Sequence, residues 1–430
     1  MNRRVLTLLL SGLLILGMAG CRPSTGASPE AGAVTLRLWV HQNPTFEAGY
    51  QALIDAYHQA HPNVTITMET FDYSTYIQTL QTAMPAGEEA DIVQMFGTWV
   101  CGYAGRLAPA PADVMTVEQA QQLYYAAPIG GYICDDTLYG LPQEFNIEYG
   151  GVLVNRAMYE AAGLTYPPQW ETMDDVLRDA QALVQRDAAG VMTVAGFDFI
   201  STDPTAFSFL AGILQRGGDY WNADHTGFTF NTPEARETLE WMLSTVTEWQ
   251  VVDPVLFNDT TNWVGTAFFS GQAAIAYIGP WAVSMGLTDY PDFGEFGYFV
   301  LPHVGDEPIF VADSGWGLSV SPNSEHQDIA WDFVRFAAAE PANALQWNIT
   351  SSTIPAIPEN AESAELAQAL PWITEELSQL PYGRYLGTMP DRDQVMYQII
   401  YPHILNVLQQ VETVDQALAA IDAEANATFR

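Results

Sequence analysis

Lysine is absent from all 430 residues, and the 14 cationic side chains are arginines set against 51 aspartates and glutamates. A catalytic lysine Schiff base and the lysine that grips phosphate in a P-loop are therefore excluded. The formal net charge of −37 repels nucleic acid and anionic lipid, so nucleic acid is not an expected partner. Cysteine is scarce, at three residues, and the seven histidines are scattered with no His-x-x-x-His or clustered Cys/His spacing. No metal site and no cofactor are expected on that pattern. A Gly-x-Ser-x-Gly elbow is missing as well, which removes one common hydrolase signature. Beyond residue 20, no apolar stretch in the sequence is long enough to cross a bilayer.

What is present begins with an export signal. Arg3 and Arg4 precede the apolar run VLTLLLSGLLILGM, and Ala19-Gly20 leads directly to Cys21. A charged start, a short apolar segment and small residues at the end make a signal peptide rather than a membrane span. This end resembles a bacterial lipobox. The resemblance implies a signal peptide over 1–20, cleavage before Cys21 and lipid on that cysteine. The following RPSTGASPEAGA, residues 22–33, is small, polar and Pro/Gly-bearing, a flexible tether. The expectation is an exported protein, lipid-anchored on the outer face of the cell membrane (periplasmic in a two-membrane bacterium) and touching the membrane through that anchor only. More than one acyl chain makes such anchoring stable. Cys101 and Cys134 then remain, and an oxidising compartment allows one disulfide between them, stabilising by roughly 3–4 kcal/mol. Two buried free thiols are the alternative.

The remainder is globular, at 48% hydrophobic and 12% aromatic residues, with material for more than one core. VTLRLWV (34–40), VTITME (64–69) and ADIVQMF (90–96) read as strands. Between the first two, Tyr50, Leu53, Ile54 and Tyr57 fall at helical spacing. A second helix is expected from about Thr75 to Met84. Strand, helix, strand, helix, strand means a parallel sheet with crossover helices. Further strands are expected at EYGGVLV (148–154), AAIAYI (273–278), FGYFVLP (296–302) and VADSGWGLSVSP (311–322). Thr172 with Asp175, and Thr413 with Gln416, have the spacing of capping boxes.

Three stretches carry a family resemblance: LYGLPQEFNIEYGGVLVNRAMYEAAGL, FFSGQAAIAYIGPW and ADSGWGLSVSPNSEHQDIAWDFVRF. In this order they resemble the extracellular solute-binding proteins of ABC sugar importers, the maltose- and glycerol-phosphate-binding type. That implies an α/β, two-lobed periplasmic-binding-protein fold (type II-like). Each lobe would be an open, mostly parallel sheet with flanking helices, hinged by crossing segments near Glu144–Asn146, Phe299–Leu301 and Glu340–Asn343. The implied lobes are residues 34–144 plus 303–340 and residues 145–302 plus 341–430. The implied function is non-enzymatic: a monomeric receptor that closes on a carbohydrate ligand and presents it to ABC transporter permease subunits.

Ligands of open parallel sheets bind beyond the carboxyl ends of the strands. Trp99, Trp281 and Trp316 lie at such places in the sequence, with Trp221 in the turn-rich insert GGDYWNADHTG. Indole rings suit the flat C–H faces of sugars, and short polar side chains read the hydroxyls, since an unpaired pocket group costs about 1–3 kcal/mol. Candidate polar contacts are Gln42, Asn43, Asp72, Tyr73, Thr98, Glu144, Ser351, Ser352 and Arg384. Each also has a structural reading: Asn and Asp cap helices, and Arg384 could pair with a carboxylate. Two other functions stay open on the residues alone. A cationic solute would suit aromatics combined with several carboxylates. The many carboxylate pairs leave an extracellular glycoside hydrolase open as well.

Overall fold

The computed structural model describes residues 32–146, 151–256, 264–279, 282–373 and 376–429. In chain order the strands are β1 (Val34–His41), β2 (Val64–Phe71), β3 (Ile92–Phe96), β4 (Ile133–Cys134), β5 (Thr137–Leu138), β6 (Leu141–Pro142) and β7 (Gly151–Asn155). They continue with β8 (Gln185–Arg186), β9 (Met192–Asp198), β10 (Ala273–Tyr277), β11 (Phe296–Val300), β12 (Phe310–Ala312), β13 (Trp316–Val320) and β14 (Gly383–Tyr385).

Two five-stranded sheets organise residues 34–430. The first runs β2-β1-β3-β13-β6 and the second β11-β7-β10-β9-β8. In the first, β1 is parallel to both β2 and β3, while β13 runs against β3 and β6. In the second, β9 and β10 are parallel and the other pairings antiparallel. Both sheets are therefore mixed: the parallel pairs come from crossover units, and the antiparallel strands return from elsewhere in the chain.

The first sheet's helices start where the sequence says they should. Asn43 caps α1 (Pro44–Ala60), its Oδ1 accepting from the backbone N–H groups of Thr45 and Phe46. Pro44 has no N–H to lose at a first helical position. The face Phe46, Tyr50, Leu53, Ile54 and Tyr57 is buried. Asp72 caps α2 (Tyr73–Ala86), accepting from Thr75 N–H at 3.0 Å. The two capping boxes, at Thr172/Asp175 and Thr413/Gln416, are both formed.

The sheets are mixed rather than the mostly parallel ones expected, and two further features depart from the sequence reading. VADSGWGLSVSP is not one strand: Ser314 has φ +63° and Gly315 φ +140°, so the chain breaks between β12 and β13. β12 pairs with β14, whereas β13 joins the first sheet. A Cβ at Gly315 would come within 2.4 Å of the Glu144 carbonyl oxygen, so glycine is required by both φ and space. The other departure is the helix Pro341–Ser351, which packs on α1. Its Trp347 ring lies 5.0 Å from Phe46 and 5.7 Å from Tyr50, although the expected partition placed residue 341 onward in the second lobe.

Candidate functional site

β1 and β3 run parallel and end at His41 and Phe96, while antiparallel β13 begins at Trp316, paired with Phe96. Three elements thus deliver an aromatic ring to one edge of the first sheet. The helix α3 (Gly97–Tyr103) continues directly from β3 and carries Thr98 and Trp99. Asp72 and Tyr73 follow β2. Trp316 sits at the centre of the resulting cluster. His41 stacks on it at 4.3 Å and 25°, Trp99 meets it edge-on at 5.2 Å, Phe96 lies at 4.9 Å and Tyr73 at 6.3 Å.

A buried hydrogen-bond chain holds this wall. Gln94 Oε1 accepts from the His41 backbone N–H and lies 2.8 Å from His41 Nδ1. An amide oxygen only accepts, so Nδ1 carries the proton. Burial lowers the His41 pKa to about 4, with Gln94 partly opposing; the ring is neutral and Nε2 is an acceptor. Gln94 Nε2 donates to Tyr50 Oη, which donates to Gln143 Oε1 at 2.6 Å. The next residue, Glu144, is buried and accepts from the Trp316 N–H at 3.0 Å. Desolvation raises its pKa to about 8, with that hydrogen bond pulling the other way.

A second wall comes from the other sheet's helices and the C-terminal region. Arg392, 6% exposed, donates to Asp203 Oδ1 at 2.8 Å and to Asp393 Oδ1 at 3.0 Å, and pairs with Asp313. Tyr397 donates to Asp203 Oδ2 at 2.8 Å. Burial works against the guanidinium charge, but Asp203 and Asp313 more than offset it and hold Arg392 protonated. Asp313 is fully buried, and desolvation raises its pKa to about 7 against the pull of Arg392. Arg392 is followed by a π-helical segment, Gln394–Ile400, a wide turn of the kind found at functional sites.

The two walls meet at a recess of about 180 Å³. Thr98, Trp99 and Tyr103 line one side; Asp391, Arg392 and Asp393 line the other. Among the described residues, Thr98 Oγ1 and Arg392 Nε, buried atoms of two lining residues, have no hydrogen-bond partner, nor does Asp313 Oδ1. A buried polar group without a partner costs about 1–3 kcal/mol.

The sequence candidates divide accordingly. Thr98 and Trp99 line the recess, and Trp316 and Tyr73 contact Trp99. Asn43 and Asp72 are helix caps at the same edge, and Gln42 is exposed beside them. Glu144 lies behind Trp316. The structure does not bring Trp221, Ser351 or Arg384 to the recess. The Trp221 indole N–H donates to the Leu386 carbonyl at 2.9 Å, and Ser351 Oγ donates to the Trp347 carbonyl at 2.8 Å within its helix. Ser352 closes that helix in the left-handed conformation. Arg384 pairs with Asp219 at 2.6 Å. Trp281 lies outside the described residues, as does Cys21. Cys101 and Cys134 are joined as a disulfide, which ties α3 to the β4–β5 hairpin. Sequence reasoning missed His41, Asp203, Asp313, Arg392 and Tyr397. One signal was available: PDRDQV sets a lone arginine between two aspartates in a chain without lysine.

The family model described as bacterial extracellular solute-binding protein matches residues 43–344. A protein of Brucella abortus (strain 2308), named as a binding protein, is 21% identical over 340 residues, 76% of this chain and 75% of the relative. The cyclic alpha-maltosyl-1,6-maltose binding protein from Arthrobacter globiformis superposes with a TM-score of 0.76 at 22% identity, covering 93% of this chain and 99% of that one. Maltose-bound T. maritima MalE3 does so at 0.74 and 19%, covering 92% and 100%. At these identities the likeness establishes the two-lobed fold.

Proposed function

Because the chain belongs to the family of bacterial extracellular solute-binding proteins, we propose that it is the substrate-binding receptor of an ABC importer. It takes a mono- or oligosaccharide into the cleft between the lobes and presents it, closed, to the permease subunits. One observation carries the reading. An aromatic cluster centred on Trp316 adjoins a recess lined by Thr98 and Arg392, whose Oγ1 and Nε are buried without partners among the described residues. The rings cover the C–H faces of a sugar, and the unpartnered atoms read its hydroxyls.

Trp99, Trp316, Tyr73 and Thr98 form the first wall of this proposed site, with Gln42, Asn43 and Asp72 at its rim. The chain passes between the sheets at Gln143–Asn146 and again at Asp313–Gly315, where Asn146 N–H donates to the Ser314 carbonyl at 3.0 Å. Hinging at those segments closes the walls on the guest, and ligand favours the closed form by its differential affinity. The protein acts as a monomer, held at the membrane by lipid on Cys21, and it returns its ligand chemically unchanged. That the structures of similar fold include a maltose complex supports a sugar as the ligand.

A thermal-shift screen against mono- and oligosaccharides tests this reading. A ligand at 100 times its Kd adds about 2.7 kcal/mol to stability, so a true ligand raises Tm measurably. No shift with any saccharide refutes it. Incubation with a labelled oligosaccharide that returns shortened products would instead favour a glycoside hydrolase.

A further inference from the structure

We propose that the Cys101–Cys134 disulfide positions the wall of the recess, beyond stabilising the chain, so that breaking it weakens ligand binding in protein that stays folded. That the recess seats the ligand is taken from the carbohydrate reading; the bond adds a redox control to the same site. The reason lies in the weakness of α3. Its seven residues are GTWVCGY, none of them a strong helix former. A helix this short does not sustain itself and depends on what packs against it. No side chain caps its start at Phe96. Thr98, Trp99, Gly102 and Tyr103 line the recess, so one face of α3 fronts open space instead of a neighbouring element. A Cβ on Gly102, or on Gly105 just beyond, would meet nothing within 4 Å.

The two ends of α3 are held differently. At the start, Gly97 N–H donates to the Gly315 carbonyl at 2.9 Å, and a Cβ on Gly97 would collide with Ser314 Oγ. Val100 is fully buried. The first turn is thus seated in the body of the protein. The outer turn carries Tyr103 and is bonded to Cys134 through Cys101. That anchor is firm. Cys134 lies on the β4–β5 hairpin, where Asp135 and Asp136 have φ +47° and +57°, as a two-residue type I′ turn requires. Ala110 N–H donates to the Leu138 carbonyl at 2.8 Å, and Tyr139 N–H to the Tyr132 carbonyl at 2.9 Å. Tyr132 is fully buried, with its Oη 2.8 Å from the Met95 carbonyl and 2.9 Å from that of Gly315. The disulfide therefore passes the position of the first sheet to the outer turn of α3. Once it is broken, that turn loses its tie to the hairpin, and the Tyr103 side of the recess is free to move.

Fluorine NMR of the full chain labelled with fluorotyrosine, before and after a dithiol reductant, tests this. Cys101 is the half-buried sulfur open to attack, and Cys134 is buried. The dithiol passes two electrons and two protons: the S–S bond breaks, Cys101 and Cys134 become thiols, and the reductant leaves as its own disulfide. The Tyr103 signal is assigned by its absence from Tyr103→Phe. On reduction it should move and broaden about twofold, while Tyr57 and Tyr76, buried around the same sheet, keep their signals. Reoxidation should restore it, and Cys101→Ser/Cys134→Ser should reproduce the reduced spectrum without reductant. A saccharide positive in the thermal-shift screen should bind the reduced, folded protein about tenfold more weakly. A Tyr103 signal untouched by reduction overturns the proposal, as does an unchanged saccharide affinity. If the Tyr57 and Tyr76 signals change along with it, the bond acts on stability alone and the proposal falls. If no saccharide binds the oxidised protein, the carbohydrate reading falls, and the Tyr103 signal still decides whether the bond positions α3.

Discussion

Glu144→Gln isolates the most heavily perturbed carboxyl behind the aromatic wall. Glu144 is 4% exposed, its carboxyl accepts from the Trp316 N–H, and its pKa is raised to about 8 from an ordinary 4.5. An acid whose folded pKa is raised is protonated in the folded state while it is already ionised in the unfolded one. The folded state therefore binds more protons, and stability falls as pH rises. The contribution is fully present below about pH 4.5 and is gone by about pH 8. Each unit in between removes about 1.4 kcal/mol. Glutamine keeps the acceptor for Trp316 and cannot ionise. Between pH 5 and pH 8 the stability of the variant relative to wild type should therefore improve by about 4 kcal/mol. Guanidinium chloride unfolding at half-unit steps of pH, followed by tryptophan fluorescence, measures this directly. Parallel profiles for the two proteins would refute the claim that Glu144 is buried as a neutral acid.

Other consequences are as concrete. Replacing both Cys101 and Cys134 by serine opens a link spanning 33 residues and should cost about 4 kcal/mol in the chain-entropy account, read as a lower denaturation midpoint. Trp99→Ala removes a half-buried ring of the recess and should weaken saccharide binding about tenfold by calorimetry. Arg392→Met leaves Asp203 and Asp313 without their partner and should destabilise the ligand-free protein by about 3–5 kcal/mol. Gly315→Ala forces a side chain into φ +140° and against Glu144. It should cost at least about 1–3 kcal/mol, seen as a lower Tm.

What could be read from the sequence was local. Asn43-Pro44 announces the start of α1, and Thr172/Asp175 and Thr413/Gln416 announce two later helices, because a cap depends on residues three apart. The Asp313–Gly315 break was hidden, since apolar and small residues continue on both sides and only the positive φ values divide β12 from β13. Trp221 and Trp316 look alike as turn-adjacent indoles. They differ in what surrounds them: Leu386 takes the Trp221 N–H, while His41 and Trp99 gather around Trp316. The Arg392 network was out of reach for the same reason, because Asp203 stands 189 residues away in the chain. His41 could not be assigned to the wall until Gln94 and Trp316 were placed against it.

The central claim concerns one place in the molecule, and a crystal structure with a bound saccharide tests it most directly. The account predicts a sugar ring against Trp99 and Trp316, with oxygen or nitrogen atoms within hydrogen-bond distance of Thr98 Oγ1 and Arg392 Nε. A saccharide seated elsewhere, with both of those atoms still unpartnered, would contradict it.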